Sequence, residues 1–571
     1  MFSENAVLTP LFNRYMTSLC SRILFAATAL VGLTTIVQAQ TSGGEIEDLQ
    51  ITIDKSRTIT LPEILPDPTR VPLPVKPVVV PKQKYNYVEY NVKLPESEPK
   101  IKVLTMKGET IPTYPALHLR AGFGLPVATY AELMYRSSVK KNISWGLHGK
   151  HYALFQGPER KVASGYNENF LRGYTTYYSD PVIIDGALEY RRDGYNFYGL
   201  PKETERGEDS VRQFFQFIKA QVNFSQNLKT GPFSWAAGVN FSNMNDAYKA
   251  KEYVLDFHTN LGYDLDSISG IKTTVLLFNS RRTDSSDQAR SALWLRPTYF
   301  RQMGDLSIEL GFGLALDNDT FGNAPRFHLY PNIKANLVLI PKVLSLEAGI
   351  TGDLDKQTLQ QQVAVNPWLA PNVALAHTNR KLDVYGGLDI APTKALNIKA
   401  RVAYRQLQNL PLFYNQFSDS SRFGILYDRG TVNQLQVIAA AGYKFSDKAE
   451  GQLTAEFNNY KMGDAAKPWH LPALKLGGSF AYKVTPEWHT SARVNYQGDM
   501  LAPAAFNAGE VKVPGMLNLG LRTQYIINQK FTAFADLDNL LNQQNQRYLY
   551  YPTRGILFMI GGSFTLLPPS K

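Results

Sequence analysis

From about Leu117 to Leu566, apolar and polar residues exchange places at every second position, and short turn signals cut the alternation into segment after segment. Leu306, Ile308, Leu310, Phe312, Leu314 and Leu316 interleave with Ser307, Glu309, Gly311, Gly313 and Ala315. Leu517, Leu519, Leu521, Thr523, Tyr525 and Ile527 interleave with Asn518, Gly520, Arg522 and Gln524. A period of two puts alternate side chains on opposite faces of a strand. Sustained over hundreds of residues with a polar second face, it suits a closed sheet that is oily outside and wet inside. The expected fold is therefore all-β: a transmembrane, antiparallel, up-and-down β-barrel of about twenty-two strands. No run of 18 apolar residues occurs in the body of the chain, which excludes helical spans there. Among soluble alternatives, a β-helix or propeller would need a fixed repeat or blade signature, and none is present.

Strand runs read from the pattern include 143–154, 514–528, 530–541 and 556–566. Ser179-Asp180-Pro181, Pro341-Lys342 and Thr393-Lys394 are compact turns, assigned to the periplasmic side. Long polar loops at 155–167, 354–379, 408–432 and 498–513 are assigned to the outside, since outer-membrane barrels keep their short turns in the periplasm.

Outside the barrel the expected organisation is a signal peptide over 1–39, a proline-rich periplasmic segment over 40–115, the barrel over 116–567 and a short tail over 568–571. Arg14 and Arg22 precede the apolar run 23–37, and Val37-Gln38-Ala39 offers a cleavage site. The only cysteine, Cys20, falls within that signal, so no disulfide or thiol chemistry is expected in the mature chain. Seven prolines between Pro62 and Pro81 make an extended spacer rather than a packed plug. It is a candidate contact for a periplasmic partner.

The C-terminal segment Asp538-Asn539-Leu540-Leu541-Asn542, then Tyr548, then the strand from Gly555 to Leu566 with Phe558 and Phe564, resembles the end of TonB-dependent receptors. The resemblance is greatest to the receptor-like barrels of Bacteroidota. It implies a twenty-two-stranded barrel in the outer membrane that binds or passes solutes, porin-like if no plug is present. Only 76 residues, 40–115, precede the first strand, so the chain reads as plugless. The alternative function is a structural scaffold of an envelope complex.

No catalytic or metal-binding motif accompanies the alternation, and no enzyme activity or cofactor is expected. His148 and His151, three apart on a strand, fall on opposite faces. The net charge is +11, but the basic residues form no stripe, which argues against nucleic acid and leaves outer-membrane lipids or a basic lumen as partners of that charge. The candidate lumen-lining cations are Lys399, Arg401, Arg405, Lys475, Lys483, Arg493 and Arg522. The candidate lumen-lining carboxylates are Glu309, Glu347, Asp383, Asp389 and Glu456. Two readings of this wall stand side by side: an anion-favouring field, or a network of ion pairs.

Overall fold

The computed structural model describes residues 116–137, 142–157, 164–199, 211–227, 231–319, 326–504 and 509–566. The expected signal peptide, the proline-rich segment and the tail beyond 567 lie outside these residues. Twenty-two strands form one closed antiparallel sheet. They are β1 (Leu117–Leu125), β2 (Ala128–Arg136), β3 (Ile143–Leu154), β4 (Tyr166–Tyr178), β5 (Val182–Asn196), β6 (Arg212–Gln226), β7 (Phe233–Asp246), β8 (Lys251–Asp264), β9 (Ser269–Thr283), β10 (Asp287–Met303), β11 (Leu306–Asp317), β12 (Phe327–Ile340), β13 (Leu344–Asp355), β14 (Thr378–Thr393), β15 (Leu396–Gln408), β18 (Val432–Lys444), β19 (Ala449–Lys461), β20 (Leu474–Lys483), β21 (Trp488–Gln497), β24 (Met516–Ile526), β25 (Phe531–Asp538) and β28 (Leu557–Leu566). The intervening numbers are short hairpins in three loops: β16 (Leu410–Asn415) with β17 (Phe423–Asp428), β22 (Met500–Pro503) with β23 (Glu510–Val513), and β26 (Gln546–Tyr548) with β27 (Tyr551–Pro552).

Each barrel strand pairs with its sequence neighbour, and β28 closes on β1 in the register Leu117↔Leu566 to Leu125↔Phe558. The seam is tight. Gly122 faces Gly561, and a methyl group on Gly561 would lie 2.1 Å from the Ala121 carbonyl oxygen. Glycine is required there by the close approach of the two backbones.

The alternation sorts the faces as the sequence implies. Leu310, Phe312, Leu329, Ile333, Leu453 and Val402 are exposed although apolar, Leu453 at 65%. An exposed apolar belt around a closed sheet is the surface that lipid covers. Turns at 179–181, 341–343 and 394–395 lie at the same end as both ends of the closed sheet, and the long loops lie at the other. Protease added to intact cells should therefore cut in the turn between β16 and β17, where Phe417 is 67% exposed. Cutting that appears only after the outer membrane is opened would reverse the orientation.

One strand ends earlier than the alternation suggests. The run 530–541 stops as a strand at Asp538, because Asn539 and Asn542 take left-handed backbone (φ 50° and 52°). Asparagine tolerates that region through its short polar side chain. The Asn539 amide donates to the carbonyls of Gln543 (2.8 Å) and Arg554 (2.7 Å), and the Asn542 side-chain oxygen accepts from Ile556 N–H (3.0 Å). The Asn-Leu-Leu-Asn element is thus a clamp that closes β25 and fastens the base of loop 539–556.

Candidate functional site: the lumen wall and the loop that enters it

Inward-facing residues are those that alternate with the lipid-facing belt. By that criterion all twelve candidates share the face opposite the belt, and the structure brings most of them together in pairs. Lys334 lies 3.3 Å from Glu309, Lys399 3.0 Å from Asp389, Arg405 3.2 Å from Asp383, and Lys475 3.5 Å from Glu456. Arg522 makes a bidentate pair with Asp536, a residue the sequence reading left out. Arg380, also left out, bridges Asp355 (3.0 Å) and Asp383 (3.3 Å). Arg401 stacks on the Tyr385 ring at 3.6 Å. Lys483, Arg493 and Glu347 have no ion-pair partner among the described residues; Arg493 lies over Gly520. The wall is therefore mainly an array of matched charges. That geometry favours the ion-pair reading over a uniformly basic sleeve. His148 and His151 fall on opposite faces: His148 faces Glu132 inside (3.0 Å), and His151 bonds Asn169 outside (2.7 Å).

The larger feature is one the sequence reading missed. The segment 354–379 is not a bare polar loop. It carries α1 (Leu359–Val365), started by a capping box in which Gln361 N–H donates to Thr358 Oγ1 and Thr358 N–H to Gln361 Oε1. The segment 356–377 turns into the barrel mouth and docks on the inner face of β8, β9 and β10. The buried Glu252 carboxylate accepts from Leu359 N–H (2.9 Å) and Gln360 N–H (3.0 Å), two amides that the first helical turn leaves without partners. Arg290 donates to the Gln357 carbonyl (2.8 Å), Lys356 reaches Asp256 (2.7 Å), and Arg282 donates to the Val373 carbonyl. Trp294, 1% exposed, donates its indole N–H to the Leu354 carbonyl at 3.1 Å.

The same segment enters a hydrophobic core built from loops. Trp368, Leu369, Val373 and Leu375 pack with Phe197 from the β5–β6 loop, Phe413 and Phe423 from the β16–β17 hairpin, and Tyr548 and Tyr551 from the β26–β27 hairpin. Trp368 and Tyr551 ring centroids lie 4.0 Å apart. Asp428 accepts from the amides of Gly463, Asp464 and Ala465, each at 3.0 Å, and so ties the β19–β20 loop to this cap. Aromatic burial of this extent holds an ordered structure where separate loops would otherwise fluctuate.

His470 is buried in the cap. Its Nδ1–H donates to the Phe413 carbonyl (2.9 Å), and its Nε2 faces Leu549 N–H (3.5 Å). This arrangement suits the neutral ring, and burial lowers its pKa to about 4. Burial, with the Arg290 charge added, lowers His377 to about 3. Both rings bind fewer protons folded than unfolded. Their contribution is complete above an unfolded pKa of about 6.5 and is lost as pH falls toward the folded value. For His470 the shift corresponds to about 3 kcal/mol. Protection factors in 410–415 and 546–552, corrected for the pH dependence of intrinsic exchange, should therefore fall between pH 6.5 and pH 4. His470→Gln should flatten that fall; an unchanged pH profile in the variant would assign it to other groups.

On the periplasmic side of the docked loop the wall opens into a cavity of about 380 Å³, lined by Lys272, Thr274, Arg296, Asn332, Lys334 and Asp353 among others. Arg296 holds Asp353 across the cavity at 2.8 and 2.9 Å. The cavity offers mixed charge and amide groups rather than one sign.

No family model matches the chain, and no curated protein does. Solved structures do. The ferric enterobactin receptor of Pseudomonas aeruginosa aligns with a TM-score of 0.60 at 10% identity, over 79% of this chain and 80% of that one. The ferric-catecholate import receptor Fiu of E. coli K12 aligns with a TM-score of 0.60 at 10% identity, over 80% and 82%. The FrpB iron transporter of Neisseria meningitidis aligns with a TM-score of 0.63 at 7% identity, over 80% and 83%. The likeness is one of fold: this chain has the twenty-two-stranded barrel of such outer-membrane receptors. With its lipid-facing belt, it is an outer-membrane barrel.

Proposed function

We propose that this barrel binds or passes a polar solute across the outer membrane, with entry from outside controlled by the segment 356–377. One observation carries the reading: the segment is docked inside the mouth, on inward side chains of β8–β10, directly above the mixed-charge cavity. The named neighbours are receptors and transporters, which is consistent with it. Because most wall cations face carboxylates, the solute is selected by hydrogen bonds and paired charge rather than by net negative charge. The chain needs no catalytic residue for this role. On this reading residues 40–115 are an extended periplasmic segment and not a plug, available to a periplasmic partner.

The test is passage through the purified full chain in liposomes. Swelling in small neutral sugars and salt conductance with little preference for anion over cation are expected. Liposomes that neither swell nor conduct, with no solute retained by the protein, would remove the proposal.

A further inference from the structure

The cavity of about 380 Å³ beneath the docked segment is laid out in rows, because inward side chains of adjacent strands stand opposite one another. Its middle row runs Lys272↔Thr298↔Gly311↔Asn332 across β9 to β12. The next row toward the periplasm is Phe300↔Glu309↔Lys334. Most of the lining charge is already matched. Arg296 is held by Asp353 at 2.8 Å, and Arg380 by Asp355 and Asp383.

Lys272 is the exception among the lining cations. It is exposed to the lumen, its Nζ lies 4.3 Å over the Phe300 ring, and among the described residues no carboxylate pairs with it. Glu309, opposite Phe300, gives Oε2 to Lys334 at 3.3 Å. Its Oε1 has no donor among the described residues. Between these two charges Asn332 Nδ2 donates to Thr298 Oγ1 at 2.9 Å, passing over Gly311. A methyl group on Gly311 would lie 2.8 Å from Thr298 Oγ1, so glycine lets that bond form. The bond leaves the Thr298 hydroxyl hydrogen without an acceptor and Asn332 Oδ1 without a donor, although Thr298 is only 9% exposed. A buried polar pair with one donor and one acceptor left over calls for a partner that supplies both. Further out, a methyl group on Gly313 would meet nothing closer than 3.6 Å. The missing side chain there leaves room for a ligand rather than relieving a clash.

We propose that this cavity binds a short zwitterionic peptide, of dipeptide size. The peptide's carboxylate meets Lys272 and its ammonium meets Glu309 Oε1. The amide group between them donates its N–H to Asn332 Oδ1 and accepts from the Thr298 hydroxyl. Charge-assisted contacts at both ends are the strong ones, and the central pair fixes orientation. A neutral sugar would leave both charges unanswered, and a simple anion would bring Glu309 against a like charge. The inference rests on the reading that the barrel takes a polar solute, and narrows that solute to a class.

The experiment is calorimetric titration of the full chain in detergent with three probes: L-alanyl-L-alanine, its N-acetyl form and its C-terminal amide. The free dipeptide should bind about tenfold tighter than either blocked form, since each block removes one charged contact. Lys272→Met should abolish the discrimination against the amide and keep that against the acetyl form. Glu309→Gln should do the reverse. A general disturbance of the wall would weaken all three probes alike, so the crossed pattern is specific to the proposed contacts. Equal affinity for the three probes, tighter binding of the acetyl form, or unchanged discrimination in Lys272→Met would overturn the proposal. Liposome swelling with the same preparation separates the two levels. Swelling in sugars without preference for the free dipeptide overturns the peptide and leaves the polar-solute reading standing. Liposomes that neither swell nor conduct, with none of the probes bound, remove both. If Glu309→Gln fails to assemble, the wild type and Lys272→Met decide the question.

Discussion

Leu310→Arg should strongly reduce folded barrel in the outer membrane, while Glu309→Arg, one residue away, should assemble nearly as well as wild type. Leu310 sits on β11 between Tyr299 of β10 and Ile333 of β12, 49% exposed on the lipid face. Arginine facing lipid near the midplane costs about 2–4 kcal/mol. That is a large part of the net stability of a typical folded domain. Glu309 faces the lumen and Lys334, 3.3 Å away, and both side chains are partly hydrated. Losing such a pair costs at most about 1 kcal/mol, and a new arginine can remain in water. Heat-modifiable migration of the two variants measures the difference. Equal defects would remove the assignment of faces on which the membrane reading depends.

The barrel was legible because its information is local. A period of two can be read within one strand, and the run 143–154 coincides with β3 as folded. The ion pairs were legible too, by a step the sequence reading did not take. Folding β14 and β15 about the 394–395 turn sets Asp389 opposite Lys399 and Asp383 opposite Arg405. The same reflection sets Glu309 opposite Lys334, Glu456 opposite Lys475 and Arg522 opposite Asp536. Cations and carboxylates counted as two separate sets conceal that match, which directly opposed cross-strand pairs make physically meaningful. The Asn-Leu-Leu-Asn element carried its signal in its asparagines, which suit the left-handed backbone that ends β25.

The loop cap was not legible, because its contacts are remote in sequence. Glu252 meets Leu359 across 107 positions, and Trp368 meets the Asn196 carbonyl across 172. Nothing near Glu252 distinguishes it from other inward carboxylates until α1 is placed on it. The apolar residues Trp368, Leu369, Val373 and Leu375 were the available hint. Such a cluster within an external loop calls for a packed surface to cover it.

Those contacts set the scale of the second large effect. Glu252→Ala removes two charge-assisted hydrogen bonds and leaves the buried Leu359 amide and the half-buried Gln360 amide without acceptors. Hydrogen bonds to a charged group contribute about 1.5–3 kcal/mol each, so the first turn of α1 should lose most of its hold on the wall. The rest of the segment stays anchored by Trp368, Leu369 and Val373, each stabilised by about 1.5–3 kcal/mol of burial. The variant should therefore show brief openings in single-channel records rather than a permanently larger pore. Replacing 359–375 by a short Gly-Ser linker removes both anchors and should give a steady, several-fold higher conductance. The β13–β14 ends remain tied through the register Asp355↔Thr378, so the barrel itself should still assemble. Conductance that stays at the wild-type level in an assembled deletion variant would show that 356–377 braces the wall without restricting passage. The cavity beneath it would then be open to the outside by another route.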